Sequence, residues 1–125
     1  MTDKLDIVGI GNAMVDAIIP SDKDEVEKNN LNRDSMNLID EELKNSLHNN
    51  YSIKEMAGGG SLGNSMFGIT SFGGNGSFIG KIKNDEVGIF LQKDMVREGL
   101  QFPLGFTSPD ISTGCCTIFV EDDGT

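Results

Sequence analysis

Tryptophan is absent from this chain of 125 residues, and tyrosine and histidine occur once each. Only two cysteines are present, and they are adjacent at Cys115 and Cys116. Neighbouring side chains of a strand point to opposite faces, so we expect no disulfide between them and predict a reducing compartment. One histidine and two adjacent cysteines cannot build a histidine-assisted nucleophile or a cluster of metal ligands. The composition therefore argues against both kinds of site.

Positive charge is also scarce, because 10 lysines and arginines face 20 acidic residues and the formal net charge is −10. Such a surface repels the phosphates of nucleic acids and of anionic lipids. No apolar run is long enough to span a bilayer, and residues 1–6 lack the basic start and apolar core of a signal peptide. We expect a cytoplasmic protein without nucleic-acid or membrane partners. The length fits about one domain.

Strand-like and helical patterns alternate along the chain, which predicts an α/β fold. Strands are predicted at 6–10, 14–19, 36–39, 76–80 and 114–121. Helices are predicted after Asp40, Gly60 and Asp85, where apolar residues recur at steps of three and four. The predicted buried positions are Leu43 and Leu47, then Leu62, Met66, Ile69 and Phe72, then Val87, Phe90, Leu91 and Met95. His48 falls near the end of the first helix, where it is predicted to complement the last carbonyls rather than to catalyse.

The most informative segment is the glycine run Ala57-Gly58-Gly59-Gly60-Ser61-Leu62-Gly63-Asn64, which opens the second predicted helix. Glycines let a ligand approach the main chain closely, and the first amides of a helix have no intrahelical acceptor. They therefore favour the oxygens of hydroxyl or phosphate groups. The alternative is a turn that needs glycine only for a positive φ.

Two nucleotide-binding templates fail on the other glycines. The run that starts at Gly9 has Met14 where the dinucleotide motif needs its third glycine. The run that ends at Lys81 has Ile82 where a phosphate loop needs a hydroxyl residue. Carboxylates remain as functional candidates, and Asp16 stands out because it lies inside an apolar strand. Its alternative is a solvated position on an edge strand.

Four motifs in this order resemble the ribokinase-like, or PfkB-type, carbohydrate and nucleoside kinases. They are Gly11-Asn12-Ala13-Met14-Val15-Asp16; Gly58-Gly59-Gly60-Ser61-Leu62-Gly63-Asn64; Phe78-Ile79-Gly80-Lys81-Ile82 with Asp85-Glu86-Val87-Gly88; and Ser112-Thr113-Gly114. The resemblance covers nearly the whole chain but less than half of the family's usual length. It implies an N-terminal fragment of a fold with a central, mostly parallel sheet, flanking helices and a small β-sheet lid. The lone hairpin signal at Asp123-Gly124 likewise predicts a longer protein.

The resemblance assigns a substrate site to five residues. In similar proteins the aspartate at the place of Asp16 and the asparagine at Asn64 bind sugar hydroxyls, and amides near Gly59 and Gly60 assist. Asn12 would support this pocket. A carboxylate accepts two hydroxyl hydrogen bonds and an amide both donates and accepts, so these residue types suit a polyol.

The resemblance also implies lid strands at 14–19, 36–39 and 114–121, a lid that excludes water, and a possible homodimer through it. It implies transfer of the ATP γ-phosphoryl group to a primary hydroxyl, with Mg²⁺ as the partner of ATP. The family's general-base aspartate lies near the C-terminus, beyond Thr125, so no catalytic residue is assigned here. The isolated chain is expected to be inactive.

Four alternatives stay open for the substrate and the role. The region from Gly11-Asn12 through a long polar segment to Ala57-Gly58-Gly59, together with Thr113-Gly114-Cys115-Cys116, resembles adenosine kinase more than ribokinase and so favours an adenosine kinase-like protein. Ser61 also stands where ribokinase-like members often have lysine. A ribokinase- or fructokinase-type sugar kinase is the second alternative. The third is a non-catalytic sugar- or nucleoside-binding module, and the fourth is a purely structural fragment that does not fold alone.

Overall fold

The computed structural model describes residues 4–125, which contain five strands and four helices. In chain order they are β1 (Ile7–Ile10), β2 (Met14–Pro20), α1 (Lys23–Lys28), α2 (Glu41–Asn50), β3 (Glu55–Gly59), α3 (Ser61–Ser71), β4 (Gly76–Ile79), α4 (Glu86–Arg97) and β5 (Gly114–Val120). No helix in this part of the chain combines the length and the apolar composition needed to cross a membrane.

The strands form two sheets. In the first, β1 and β4 pair in parallel, with Ile7 opposite Gly76 and Ile10 opposite Ile79. The second sheet has three strands in the order β3-β2-β5. Strands connected through helices and paired in parallel are typical of α/β proteins, so the predicted fold class is confirmed.

The chain divides into two compact units, and the division falls within β2, β3 and β5. The first unit consists of the residues up to Asp16 together with 57–116, and the second of 17–56 together with 117–125.

In the first unit, α3 packs on the β1–β4 pair because glycines in both strands leave room for one side chain. A Cβ added at Gly9 would lie 2.9 Å from the sulfur of Met66, and one added at Gly76 would lie 2.9 Å from its Cε. Met66 is buried. The strand glycines therefore set how closely the helix that begins at Gly60 approaches the sheet.

In the second unit, polar and aromatic contacts connect residues 29–51 with one another and with residues 119–121. The rings of Tyr51 and Phe119 meet edge to face at 5.3 Å between centroids. Asn29 donates a hydrogen bond to the Tyr51 hydroxyl at 2.9 Å. Arg33 donates two hydrogen bonds to the carboxylate of Glu121, at 2.8 and 2.9 Å, in the bidentate geometry that favours this pair.

The strand predicted at 36–39 is wrong. Within the described chain this segment has no strand, and Met36 and Leu38 are 86% and 93% exposed. The Asn37 side chain accepts a hydrogen bond from the Asn32 N–H and donates one to the Asn32 carbonyl, each at 3.0 Å. Local bonds of this kind compete with a strand ladder, and here they close a loop instead.

The predicted strands at 14–19 and 114–121 correspond to β2 and β5, whereas their role as a lid stays a prediction. The predicted helix starts are also confirmed, because the Asp40 and Asp85 side chains accept hydrogen bonds from the N–H groups of Leu43 and Gly88. The prediction that Phe72 belongs to the buried stripe of α3 is wrong. Phe72 follows the last turn and is 94% exposed.

Candidate functional site

The site predicted from the glycine run lies where β3 ends and α3 begins. Gly60 occupies the position before the first helical residue, with φ = +79° and ψ = 154°. An L side chain rarely adopts this conformation, so glycine is needed here. The amides of the first helical turn begin directly after it. The structural alternative for the run, a glycine required for positive φ, therefore holds for Gly60 alone.

Gly59 is glycine for a different reason, which is the side chain of Asp16. A Cβ built on Gly59 would lie 2.5 to 2.6 Å from the carboxyl carbon and from both carboxylate oxygens of Asp16. Real Cβ atoms essentially never approach other atoms so closely. The carboxylate therefore occupies the space over the Gly59 Cα, with Gly59 itself buried and Asp16 partly exposed.

The two predicted asparagines flank the Asp16–Gly59 pair in sequence, since Asn12 precedes Asp16 and Asn64 follows Gly59. Asn12 is exposed in the turn between β1 and β2, and its carbonyl oxygen lies 3.8 Å from the position of a Cβ on Gly60. Asn64 is exposed on the first turn of α3, and its N–H donates to the Gly60 carbonyl at 2.9 Å. The structure thus brings Asp16 and Gly59 into contact and the Asn12 main chain close to Gly60. The binding roles of Asn12 and Asn64 stay predictions.

Sequence reasoning missed Asp94, which contacts the same glycine run. Asp94 is 8% exposed on α4, and its Oδ2 accepts a hydrogen bond from the Gly58 N–H at 3.2 Å. Its other oxygen is paired with Arg97, three residues further along the helix. A signal was available, since Asp94 follows Leu91 by three residues and so falls on the apolar stripe of the helix. A carboxylate at such a position needs a partner.

The third and fourth motifs meet in one hydrogen-bond network that fixes the start of β5. The Asp85 carboxylate accepts hydrogen bonds from the Thr113 N–H at 3.0 Å, from the Thr113 hydroxyl at 2.8 Å and from the Gly88 N–H at 2.7 Å. The Thr113 hydroxyl accepts the Lys83 N–H at 2.9 Å. This network ties the loop before β5 to the first turn of α4.

Strand β5 approaches the strand that carries Asp16. A Cβ on Gly114 would lie 2.8 Å from the carbonyl oxygen of Ala13, so only glycine permits this approach. Two residues further along, burial raises the pKa of the Cys116 thiol, and the negative charge of Asp16 raises it further. The surroundings of Asp16 therefore include a thiol that is neutral at pH 7, on a residue that is partly shielded from water but still accessible.

Chemically, a partly exposed carboxylate beside the start of a helix suits a neutral ligand with several hydroxyl groups. The carboxylate accepts hydrogen bonds from hydroxyl donors, and first-turn amides donate to their oxygens. The described residues contain no group of three or more His, Cys, Asp or Glu side chains that could hold a metal ion.

The fold gives the class: over the residues described, the chain has the fold of part of a ribokinase-like kinase. Solved structures of an adenosine kinase and of a probable sugar kinase protein match it. A structure described as a putative ribokinase from Agrobacterium tumefaciens, at 16% identity and a TM-score of 0.59, matches in fold alone. No protein-family profile matches the chain, and no curated protein sequence does.

Three solved structures illustrate the match. The chain is 32% identical to adenosine kinase from Sinorhizobium meliloti, with a TM-score of 0.77 over 97% of this chain and 37% of that one. It is 28% identical to a probable sugar kinase protein from Rhizobium etli CFN 42, with a TM-score of 0.77 over 95% of this chain and 36% of that one. Adenosine kinase from Schistosoma mansoni in complex with 2-fluoroadenosine is 22% identical, with a TM-score of 0.73 over 94% and 36% of the two chains, and shows the fold alone. The chain thus spans little more than a third of each.

Proposed function

We propose that the protein containing this chain phosphorylates a primary hydroxyl of a nucleoside, with adenosine as the favoured substrate, and that this chain supplies the acceptor-binding part of the site. The proposed binding residues are Asn12, Asp16, Gly59, Gly60 and Asn64. The observation that carries the proposal is the Asp16 carboxylate over the bare Cα of Gly59. A side chain at position 59 would displace that carboxylate, so the pair is consistent with a site kept open for a ligand.

The preference for adenosine is supported by the 32% identity with an adenosine kinase. A sugar kinase is the second candidate, and the 28% identity with a probable sugar kinase protein favours it. Both candidates share a ribose- or hexose-like polyol, and the Asp16 carboxylate would accept hydroxyl hydrogen bonds from either. The two candidates differ in whether an apolar surface for a base is also present.

ATP with Mg²⁺ is the proposed phosphoryl donor, and it would supply the transferred group and offset its charge when bound. No residue of the described chain is proposed as its ligand or as the general base. The residues of this chain would bind and orient the acceptor. A lid formed by β2 and β5, and a homodimer through it, stay predictions.

The test is isothermal titration calorimetry of the complete protein with adenosine, ribose and fructose, repeated with Asp16→Asn and Asp16→Ala. Removing a charged hydrogen-bond acceptor costs about 1.5–3 kcal/mol, so we expect adenosine affinity to fall by about 10- to 100-fold. Asp110→Asn is the matched control. It removes the same charge, and Asp110 is an exposed loop residue of the same unit.

The outcomes separate the candidates. Adenosine binding that is lost only in the Asp16 variants supports the nucleoside kinase. Binding of ribose or fructose but not adenosine moves the assignment to a sugar kinase. If the wild-type protein binds none of the three, or if both Asp16 variants bind as tightly as the Asp110 control, the proposed site is wrong.

A further inference from the structure

Asp94 is the one charged residue that is buried in the described part of the chain. It lies on α4 between Leu91 and Met95, both of which are also buried. Removing a carboxylate from water is costly unless its oxygens find partners. One oxygen pairs with Arg97, and the other accepts the Gly58 N–H at 3.2 Å. The buried charge is thus directed at the glycine run.

The hydrogen bond between Gly58 and Asp94 provides an acceptor for an N–H group at the edge of the sheet. Strand β3 is one of the two outer strands in the order β3-β2-β5 of the described chain. An edge strand presents N–H groups that no neighbouring strand can accept, and a buried N–H without an acceptor is costly. Asp94 provides the acceptor for one of them. Among the described residues, Gly58 is therefore held from the helix side by Asp94.

A side chain is excluded sterically at Gly58 as well as at Gly59. A Cβ on Gly58 would lie 2.7 Å from the ring of Phe67 and 3.1 Å from Asp94 Oδ2. Phe67 belongs to α3 and Asp94 to α4, so a side chain from each helix contacts the main chain of this one residue. The next residue, Gly59, is in contact with the Asp16 carboxylate. Two carboxylates thus hold consecutive glycines.

We propose that Asp94 is a positioning residue for the acceptor site, an inference that rests on the function proposed above. By accepting the Gly58 N–H it fixes the strand that carries Gly59 against Asp16 and sets where Gly60 begins α3. Asp94 acts through the main chain and does not touch the substrate.

The experiment measures adenosine affinity by calorimetry, and KM and kcat separately, for three variants of the complete protein. Asp94→Ala removes the acceptor, and we expect affinity to fall and KM to rise at least tenfold, with kcat changed less than threefold. Asp94→Asn keeps an oxygen that can accept the Gly58 N–H, so we expect affinity within about threefold of wild type. Arg97→Gln is the control for the ion pair. Because Arg97 is 69% exposed, we expect affinity within twofold.

Rescue by asparagine distinguishes positioning from general stability, because Asp94→Asn loses the buried charge but keeps an acceptor for the Gly58 N–H. If Asp94→Ala is folded and binds adenosine as wild type does while Asp16→Ala does not, the positioning role is wrong and the proposed function stands. A folded Asp94→Asn that binds as weakly as Asp94→Ala also contradicts the role. If wild type binds no nucleoside or sugar, both proposals fail together.

A second measurement needs no variant and covers the case in which Asp94→Ala does not fold. If opening of the Gly58–Asp94 bond abolishes binding, adenosine at about 100 times its Kd slows exchange of the Gly58 amide hydrogen by up to about 100-fold. The reference is the Gly88 amide, which donates to Asp85 at 2.7 Å. We expect the protection of Gly58 to rise at least tenfold more than that of Gly88. Equal changes at the two amides overturn the proposal.

Discussion

The Asp16 carboxylate and a side chain at position 59 compete for one space, because a Cβ on Gly59 would lie 2.5 to 2.6 Å from the carboxyl carbon and both oxygens. Glycine at 59 is thus a requirement set by Asp16 on the neighbouring strand, and it does not come from the local backbone. Gly60, in contrast, needs glycine for its φ of +79°. Consecutive glycines in one motif therefore have separate physical causes.

Substitution Gly59→Ala is expected to displace the Asp16 carboxylate and to weaken adenosine binding at least as much as Asp16→Asn does. Calorimetry on the complete protein measures the effect. Gly68→Ala is the control, since Gly68 lies inside α3 and a Cβ there meets nothing within 4 Å. We expect it to leave binding unchanged and to stabilise the fold by about 1 kcal/mol through helix propensity. Unchanged binding in Gly59→Ala would contradict the steric account.

The Cys116 thiol is expected to react slowly at neutral pH, because burial and then Asp16 raise its pKa. The thiolate is the reactive form, so a raised pKa lowers its fraction at every pH below that value. In a Cys115→Ala background, the pH profile of iodoacetamide alkylation should have its midpoint above the ordinary thiol value of about 8.5.

Asp16→Asn should lower the midpoint of the Cys116 alkylation profile, since it removes the negative charge of Asp16 and leaves the burial of the thiol unchanged. We expect the alkylation rate at pH 7 to rise by less than about tenfold. Asp110→Asn is the matched change of charge. A midpoint that does not move with Asp16→Asn means that the two groups do not interact.

Thr113→Val should destabilise the protein by about 1–3 kcal/mol, since it leaves the Lys83 N–H without its acceptor and removes a donor to Asp85. Thr113 is buried and valine has nearly its shape, so packing changes little. Urea denaturation measures the loss. Thr107→Val, at an exposed position, should change stability by less than about 0.5 kcal/mol.

Asp40→Ala should cost about 1 kcal/mol, because the Asp40 side chain accepts the Leu43 N–H at 2.8 Å at the start of α2. The same urea titration applies, with Asp110→Ala as the control for the lost charge. Equal stability of these two variants would show that the cap contributes nothing.

Local chemistry explains what could be predicted from the sequence. Asp40 and Asp85 cap helices within three residues of themselves, and Gly99 ends α4 with φ = +90°, so each is specified by its neighbours. The strand prediction at 36–39 is wrong because its short apolar run resembles a strand, whereas Asn37 closes a loop through bonds that composition does not reveal.

Contacts between residues far apart in the chain could not be predicted from sequence periodicity. Asp16 was singled out as a carboxylate inside an apolar strand, yet its contact with Gly59 depends on which strands become neighbours. The family resemblance, rather than spacing, brought the two together. Asp94 was missed for the same reason, since its partner Gly58 lies on another element.

Because these 125 residues contain no tryptophan, the fluorescence of Tyr51 serves as an intrinsic probe. Its emission is not masked by an indole elsewhere in the chain. Its ring rests edge-on against Phe119, and its hydroxyl accepts a hydrogen bond from Asn29. Light absorbed and emitted by this one phenol therefore follows the state of the unit formed by 17–56 and 117–125, without any label being attached.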